Sequence, residues 1–311
     1  MSARFLVTTP IPDPGLPLLR EAGAVTVLPQ PPDSARLREL CASGDYDVVL
    51  TQLQDTVDAP LLAEAKVRGV SDFAVGHNNI DVAAATRHGI LVGNAPGVLT
   101  DATADVAMAL VLATAHRAVE GDRIVREGRF TGWEPGLLLG RDVTGATLGL
   151  AGFGRIARTT ARRALAFGMT VLFAPRPPPP HRIVGEEELG EFAGRVTQVR
   201  WEELVARSDH LSLHVPLTDR TRHLVDADVL ARMSPGAILI NTAPGRTEAA
   251  HRGPGRHRRS TRRRVVQCGR AGTARDDAGN RAPRTAQSTE DASCAQTSTP
   301  ARCRRGTSTG C

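Results

Sequence analysis

The chain has 311 residues, enough for two domains of ordinary size, and its formal net charge is +6. The excess of positive charge lies at one end, since residues 246–311 carry 15 arginines against five acidic residues and residues 1–245 have a net charge of −4. The longest apolar stretch, ADVAMALVLATAH, is interrupted by Asp105 and is too short to span a bilayer, and no signal peptide opens the chain. We therefore expect a cytoplasmic protein without a membrane partner.

The part of the chain before about residue 99 alternates short apolar runs with amphipathic ones. The apolar runs, each predicted to be a strand, are RFLVTT, AVTVLP, DVVLTQ and ILVGNAP. The runs predicted to be helices are PGLPLLREAG, DSARLRELCASG and APLLAEA. Strands and helices in regular alternation are typical of a parallel sheet covered by helices. We therefore predict an α/β domain over residues 1–98.

A second α/β unit follows a long helix that is predicted to begin at about Thr100, where Asp101 suits the positive end of the helix dipole. Its predicted strands are ATLGLAGFG, MTVLFAP, HLSLHV and AILINT, and its predicted helices are RIARTTARRALAFG, WEELVARS and DADVLARM. Because AILINT is the last run of this kind, the pattern predicts a doubly wound parallel sheet over residues 99–243 that is truncated and has an open edge. An open edge and a bare apolar face predict poor solubility.

The sequence GFGRIA lies between a predicted strand and a predicted helix and has the pattern GxGxxA. In that context Gly152 permits a tight turn, Gly154 lets main-chain amides approach a pyrophosphate, and the small Ala157 keeps the helix close to the strand. The helix N-terminus adds unpaired N–H groups and a partial positive charge. The motif therefore predicts a dinucleotide-binding site.

The residues after the next predicted strand bear on the choice of dinucleotide. An acidic residue about 20 positions beyond the glycines commonly binds the adenosine ribose, but here the chain reads Ala174, Pro175, Arg176. An arginine suits the 2′-phosphate of NADP, because its guanidinium makes paired, charge-assisted hydrogen bonds. We predict NADP in preference to NAD. The alternative is that Arg176 only begins an exposed loop.

Three longer segments carry a resemblance to a known family. They are VSDFAVGHNNIDVAAATRHGILVGNAPGVLTDATAD, LLLGRDVTGATLGLAGFGRIARTTARRALAFGMTVLF and LSLHVPLTDRTRHLVDADVLARMSPGAILINTA. Over about residues 3–243 the chain resembles the D-isomer-specific 2-hydroxyacid dehydrogenases, and among them the glyoxylate and hydroxypyruvate reductases. The resemblance implies a flavodoxin-like substrate-binding domain, a Rossmann domain for NAD or NADP, and a homodimer. It also implies reduction of a small 2-keto acid by hydride transfer from the nicotinamide.

The resemblance further assigns residues to the two ligands. The main chain of Val75, Gly76 and His77 would meet the substrate carboxylate. The positions expected along the cofactor are Thr103, Gly152, Phe153, Gly154, Arg155, Ile156, Arg176, His214, Val215, Pro216, Asn241, Thr242 and Ala243. His214 is expected to pack near the cofactor rather than to transfer protons, and no metal site is expected.

The residues that this family uses for catalysis are missing from the matching positions. The arginine that holds the substrate carboxylate and polarises the keto oxygen falls on Pro244, which has neither a charge nor a donor. The Glu and His that would together protonate the alkoxide have no counterpart in residues 244–311. Arg246 and His77 are the reserve candidates for catalytic roles. We therefore predict that the activity of this chain is impaired.

The composition of residues 244–311 differs from that of the rest of the chain. They contain no Leu, Ile, Phe, Met, Trp or Tyr, and their only branched apolar pair is Val265 and Val266, so we predict a disordered tail. Our hypothesis is a frameshift near Pro244, because the neighbouring frame of Pro244-Gly245 can encode Arg-Gly, and the coding DNA would test it. The four cysteines of this tail lack metal-ligand spacing, and Cys41 alone in the body suits a reducing compartment.

A second function class stays open from the sequence. The basic stretch RHRRSTRRR would suit a non-catalytic nucleotide-binding protein or a protein associated with nucleic acid. It lacks interleaved aromatic residues and any recognisable nucleic-acid module, so we regard nucleic acid as an unlikely partner. A salt titration of RNA or DNA binding separates the classes, because phosphate contacts weaken steeply with salt.

Overall fold

The computed structural model describes residues 2–177 and 182–243, together with the backbone of residues 264–267. These residues form two compact units. The first unit runs to Asp101 and includes Pro216–Leu224, and the second consists of Ala102–Val215, Val225–Ala243 and the strand at 264–267. Each unit has a parallel sheet and a hydrophobic core of its own.

The first unit contains a five-stranded parallel sheet with a helix between each pair of successive strands. The strands are β1 (Ala3–Val7), β2 (Gly23–Val27), β3 (Val48–Thr51), β4 (Gly69–Asp72) and β5 (Leu91–Gly93). The helices are α1 (Gly15–Ala22), α2 (Ser34–Ser43), α3 (Ala59–Glu64) and α4 (Val82–Arg87). The strand order β2-β1-β3-β4-β5 is that of flavodoxin-like sheets, which confirms the predicted architecture.

The core of this unit follows from side chains that alternate along the strands and recur along the helices. Leu6 in β1 and Val49 in β3 are fully buried, and Leu37, Leu61 and Ala84 of the helices α2, α3 and α4 pack in the same cluster. Removing such branched side chains from water is the main force that holds helix to sheet.

Aspartate side chains fix where several helices begin. The carboxylates of Asp33, Asp58 and Asp81 accept hydrogen bonds from the N–H groups of the residues three positions on, at 2.8, 3.0 and 2.8 Å. Asp226 caps the helix at Ala227–Arg232 in the second unit in the same way, at 2.8 Å. Each cap satisfies a donor that the helix itself leaves unpaired.

The second unit contains a six-stranded parallel sheet. Its strands are β6 (Thr147–Ala151), β7 (Thr170–Ala174), β8 (Thr197–Gln198), β9 (His210–Leu213), β10 (Ile238–Asn241) and β11 (Arg264–Gln267). Its helices are α5 (Thr100–Ala115), which begins at the boundary of the units, α6 (Ala118–Arg126), α7 (Arg155–Ala166), α8 (Glu186–Leu189), α9 (Trp201–Arg207) and α10 (Ala227–Arg232), with a 3₁₀ helix at Gly190–Phe192. The order β8-β7-β6-β9-β10-β11 is the 3-2-1-4-5-6 order of Rossmann sheets.

The long helix α5 belongs to the core of the second unit. Its residues Met108, Val111 and Ala115 are buried in one cluster with Leu148 of β6 and Phe173 of β7. Within residues 2–177 and 182–243 no single helix has the length and apolar composition needed to cross a membrane, and only α5 and α6 taken together, with a bend of 67° between them, meet that criterion.

One expectation about this sheet differs from the structure. The sequence predicts an open edge beside AILINT, whereas the backbone of β11 pairs in parallel with β10 from Ile238↔Arg264 to Asn241↔Gln267. The reason is that strand pairing uses main-chain groups, and β11 contains the only pair of adjacent β-branched residues after Ala243. The backbone of these four residues forms a strand in the structure. The remainder of the predicted disordered tail lies outside the described residues.

Candidate functional site

The turn after β6 can be formed only with glycine at position 152. Gly152 has φ +96°, and a Cβ atom there would lie 2.6 Å from the main-chain oxygen of His214. The N–H of Gly152 donates to the main-chain oxygen of Ala174, at 2.8 Å, at the end of β7. The turn therefore lies between the ends of β7 and β9, the strands on either side of β6, and it approaches the backbones of both closely.

The residues after Gly152 present main-chain N–H groups at the start of α7. Gly154 is the N-cap and supplies no side-chain cap, and a Cβ built on it would meet no protein atom within 4 Å. In the part of the chain that the structure describes, the N–H groups of Phe153, Gly154, Arg155 and Ile156 have no acceptor. Arg155 is exposed, and the first turn of α7 contains no acidic residue. Unpaired donors at a helix N-terminus, next to open space, fit a pyrophosphate.

Two side chains of the GFGRIA segment point away from this open space. The ring of Phe153 is stacked on that of Phe173, with 4.0 Å between centroids, and meets the edge of the Phe192 ring at 5.7 Å. Ala157 is fully buried against the core, as the motif predicts. Only the main chain of Phe153 is therefore available to a ligand. The side chain of Ile156 is half-buried.

Arg176 lies at the same edge of the sheet as the glycine turn. It stands two residues beyond Ala174, whose oxygen accepts the hydrogen bond from Gly152. Its side chain is exposed, and among the described residues it has no ion-pair partner. The guanidinium is therefore available to an anion at this edge.

The end of β9 brings His214 beside the glycine turn. Nε2 of His214 lies 2.9 Å from Oγ of the buried Ser212. Burial lowers the pKa of His214 from its ordinary value of 6.5 to about 4, because desolvation disfavours the charged imidazolium. A neutral ring suits packing against a cofactor better than proton transfer at neutral pH, in line with the expectation from the sequence. Val215, the next residue, is buried.

The end of β10 holds the last described residues that the sequence assigns to the cofactor. Asn241 is buried, and its Oδ1 accepts a hydrogen bond from the N–H of Ala243 at 2.9 Å, which forms a tight turn around the half-buried Thr242. Thr103 is half-buried on α5. Pro244 and Arg246, the expected arginine position and its reserve, lie outside the described residues, as does the basic stretch RHRRSTRRR.

In the first unit, the predicted substrate turn follows β4. Asn94 donates through Nδ2 to the main-chain oxygen of Val75 at 2.8 Å, and the oxygen of His77 accepts from Ile80 at 3.1 Å. The N–H groups of Val75, Gly76 and His77 have no acceptor within the described segments. Three successive unpaired donors can hold a carboxylate. The His77 side chain is exposed, and Pro216, through its main-chain oxygen, accepts a hydrogen bond of 2.6 Å from the Thr221 hydroxyl.

A buried polar cluster beneath that turn was missed in the sequence. Its buried members, Thr8, Thr51, Asp55 and Asp72, lie at or just beyond the carboxyl ends of three neighbouring strands. The half-buried Asn79 joins them from the turn after β4 through hydrogen bonds from its Nδ2. Asp72 Oδ1 accepts from Thr51 at 3.0 Å and from Asn79 at 3.3 Å, while Oδ2 is buried without a partner among the residues described. Desolvation raises the pKa of Asp72. Polar residues closing apolar runs, as in VVLT and GVSD, are the signal that was available.

The chain is similar to known proteins in sequence and in fold. Residues 108–249 match the family model for the NAD-binding domain of D-isomer specific 2-hydroxyacid dehydrogenases. A glyoxylate reductase from Thermococcus litoralis is 41% identical over 250 residues, which cover 79% of this chain and 73% of that protein. One from Korarchaeum cryptofilum is 43% identical over 248 residues, covering 79% of this chain and 72% of that protein.

A solved structure is also similar to this chain. The crystal structure of the TT0316 protein from Thermus thermophilus superimposes with a TM-score of 0.68 and 38% identity, over 79% of this chain and 75% of that one. The glycine turn, the two sheet orders and the similarity over most of both lengths all confirm the resemblance predicted from the sequence. The chain belongs to the D-isomer specific 2-hydroxyacid dehydrogenases, oxidoreductases that use a nicotinamide dinucleotide.

Proposed function

We propose that this protein binds NADPH at the carboxyl edge of its second sheet and reduces a small 2-keto acid, glyoxylate or hydroxypyruvate, to the 2-hydroxy acid. The observation that carries the proposal is the set of unpaired N–H groups from Phe153 to Ile156, beside the space that Gly154 leaves open. The similarity to glyoxylate reductases supports the choice of substrate. The nicotinamide, when bound, supplies the hydride.

The residues of the second unit would hold the dinucleotide at several points. The glycine turn binds the pyrophosphate through the main chain, and Arg155 adds a positive charge beside it. Neutral His214, held by Ser212, and the buried Val215 line the apolar side. The other positions of this unit that we assign to the cofactor are Thr103, Asn241, Thr242 and Ala243. Pro216, which we also assign to the cofactor, belongs to the first unit.

Arg176 would set the preference for NADPH over NADH. Its guanidinium is exposed at the edge where the adenosine ribose is expected. The segment Ala174-Pro175-Arg176 has no carboxylate that could accept a hydrogen bond from the free 2′-hydroxyl of NADH. Replacing it by alanine should weaken NADPH binding by about 10- to 100-fold, the equivalent of one or two charge-assisted hydrogen bonds, and leave NADH binding unchanged. Equal losses for both dinucleotides would contradict this role.

The substrate carboxylate would be held by the turn in the first unit. The unpaired N–H groups of Val75, Gly76 and His77 suit an anion. The chain has Pro244 where an arginine would polarise the keto oxygen, so substrate would be bound without strong activation. We propose that the chain binds both ligands and turns over slowly, with His77 as the nearest reserve for proton transfer.

The experiment compares the chain as it stands with a version whose coding frame is restored after Ala243. Calorimetric titration with NADPH and NADH tests binding, and loss of NADPH absorbance on addition of glyoxylate or hydroxypyruvate tests turnover. We expect both versions to bind NADPH and the restored version to be faster by about 10² to 10⁴, the usual contribution of a general acid. Failure of both versions to bind either dinucleotide would overturn the proposal.

We also propose that the protein forms a homodimer through α6 and the segment after it. That helix buries none of its residues, and Val125, Phe130, Trp133 and Leu139 expose 63%, 52%, 82% and 74% of their surfaces. An apolar patch of this kind is typical of a protein interface. Light scattering of wild type and of Trp133→Glu tests this, since the variant should be monomeric.

The single buried thiol of Cys41 in the described body supports a reducing, cytoplasmic compartment.

A further inference from the structure

We infer that Arg158 is a positioning residue for the dinucleotide turn, because its guanidinium fixes the direction of the Gly154 N–H group. This inference rests on the proposed binding of NADPH. Arg158 lies one turn into α7, outside the GFGRIA motif and outside the set of cofactor positions proposed above. It acts through Phe153 and does not itself need to touch the ligand.

The guanidinium of Arg158 joins the turn to the rest of the second unit. Nε donates to the main-chain oxygen of Phe153 at 3.3 Å, and Nη1 donates to the oxygen of Leu189 at 3.2 Å. Its central carbon lies 4.7 Å from the centroid of the Phe153 ring and 5.9 Å from that of Phe192. Both the main chain and the ring of Phe153 are thus held by one half-buried side chain.

The geometry of the peptide bond turns this contact into an effect on the ligand site. The oxygen of Phe153 and the N–H of Gly154 belong to the same planar peptide unit, in which a trans bond points them in opposite directions. A donor that holds the oxygen on the protein side therefore directs the N–H away from the protein. A guanidinium also polarises the peptide group, which strengthens that N–H as a donor.

The charge of Arg158 is poorly placed for the stability of the unliganded protein. It lies near the N-terminus of α7, where the helix dipole disfavours cations, and no acidic residue occupies the first turn. Among the residues described, it has no ion-pair partner within 4.0 Å, since the nearby Glu191 pairs with Arg162. A bound pyrophosphate would compensate this charge. We therefore expect the residue to matter more for binding than for folding.

The test compares Arg158→Met with Arg162→Met, which removes an exposed arginine one turn further along the same helix. The full chain is titrated with two probes, NADPH and adenosine 2′-monophosphate, which lacks the pyrophosphate. For Arg158→Met we expect the Kd of NADPH to rise about ten-fold, consistent with the loss of one charge-assisted hydrogen bond, and the Kd of the monophosphate to stay unchanged. For Arg162→Met we expect no change with either probe.

Arg158→Lys is a second variant, to be used in any case and decisive if Arg158→Met does not fold. Lysine keeps the charge but cannot hold two oxygens with one planar group, so we expect a rise in the Kd of NADPH of about three-fold and none for the monophosphate. Wild-type Kd values for NADPH in a folded Arg158 variant, or equal losses for both probes, would overturn the inference alone. A wild-type chain that binds no NADPH would overturn the proposed function and this inference together.

Discussion

Both sheets are parallel, but their carboxyl edges differ in charge. In the second unit this edge carries a glycine turn, unpaired N–H groups and the exposed Arg155 and Arg176. In the first unit the carboxyl edge covers two buried carboxyl groups, Asp55 and Asp72, and the turn above them presents unpaired N–H groups. The strand order decides where a ligand can lie, whereas the residues at the strand ends decide which ligand is accepted.

We expect the largest loss of stability from replacing Gly152, which forms the turn at the carboxyl edge of the second sheet. Gly152→Ala places a Cβ atom 2.6 Å from the His214 oxygen at a φ of +96°. We expect the free energy of unfolding to fall by about 3 kcal/mol or more, because both the clash and the backbone strain are unfavourable. Urea denaturation measures this loss.

Gly154→Ala is the matched control for that substitution. Its Cβ atom would meet no protein atom and its φ is −81°, so the free energy of unfolding should change by no more than about 1 kcal/mol. NADPH binding should nevertheless weaken, because the methyl group occupies the space left for the pyrophosphate. A Gly152→Ala protein as stable as the wild type would break the contrast between the two positions.

A smaller effect concerns the pH dependence that His214 gives to the second unit. Its pKa is about 4 in the folded chain against 6.5 when unfolded, so the unfolded state binds more protons between these values. Stability should therefore fall as the pH drops below about 6.5, by about 2 kcal/mol near pH 4.5 for this partly exposed ring.

His214→Gln should lack this part of the pH dependence, and urea denaturation of both proteins at about pH 7 and about pH 4.5 measures the difference. Burial also lowers the pKa of His210, which acts in the same direction in both proteins and cancels in the comparison. Identical pH profiles for the two proteins would show that His214 is not buried as described.

We expect the smallest effect at the carboxyl edge of the first sheet, where the stability should change with pH in the opposite direction. The pKa of Asp72 is raised, so its carboxylate is disfavoured in the folded state and stability falls as the pH rises above the unfolded value of 3.8. Asp72→Asn keeps an acceptor for Thr51 and Asn79 and puts a donor in place of the unpaired Oδ2. We expect it to stabilise the protein at neutral pH by about 1 kcal/mol, because it removes a buried negative charge that desolvation disfavours.

Thermal unfolding of Asp72→Asn and of Asp72→Ala measures this effect. The alanine variant loses both hydrogen bonds and leaves the Thr51 hydroxyl without this acceptor, so its melting temperature should fall while that of the asparagine variant rises. A lower melting temperature for Asp72→Asn would mean that the network needs the negative charge. The carboxyl edges of the two sheets would then both depend on a charged group, and the contrast between them would be smaller than we propose.

Much of the fold could be predicted from the sequence, because its longer strands and helices have clear periods. Two of the elements that were missed, β4 and α4, are short. β4 has a single branched apolar residue, Val70, and ends in buried Asp72, so its burial depends on neighbouring strands. The six-residue helix α4 is too short for a helical period, although Asp81 as its cap was a usable signal. The partner of β10 was missed because one pair of adjacent β-branched residues, Val265 and Val266, is a weak signal for a strand.

The glycine turn could be predicted because its spacing carries its own geometry. The contacts of Arg158 and the orientation of Phe153 could not, since they depend on Leu189 and Phe192, which lie about 30 residues further along the chain. The buried cluster around Asp72 likewise assembles from three strands. Local sequence specifies which groups exist, and the packing of distant segments specifies which of them are paired.

Main-chain groups hold β11 to β10, so the identity of most side chains in β11 has little influence on whether the strand forms. A substitution among residues that only extend the sheet should therefore have a small effect, whereas one at a side chain that must reach a reacting atom should remove its chemistry. A chain whose reading frame changes near Pro244 could in this way lose the arginine expected there and still supply β10 with a neighbouring strand.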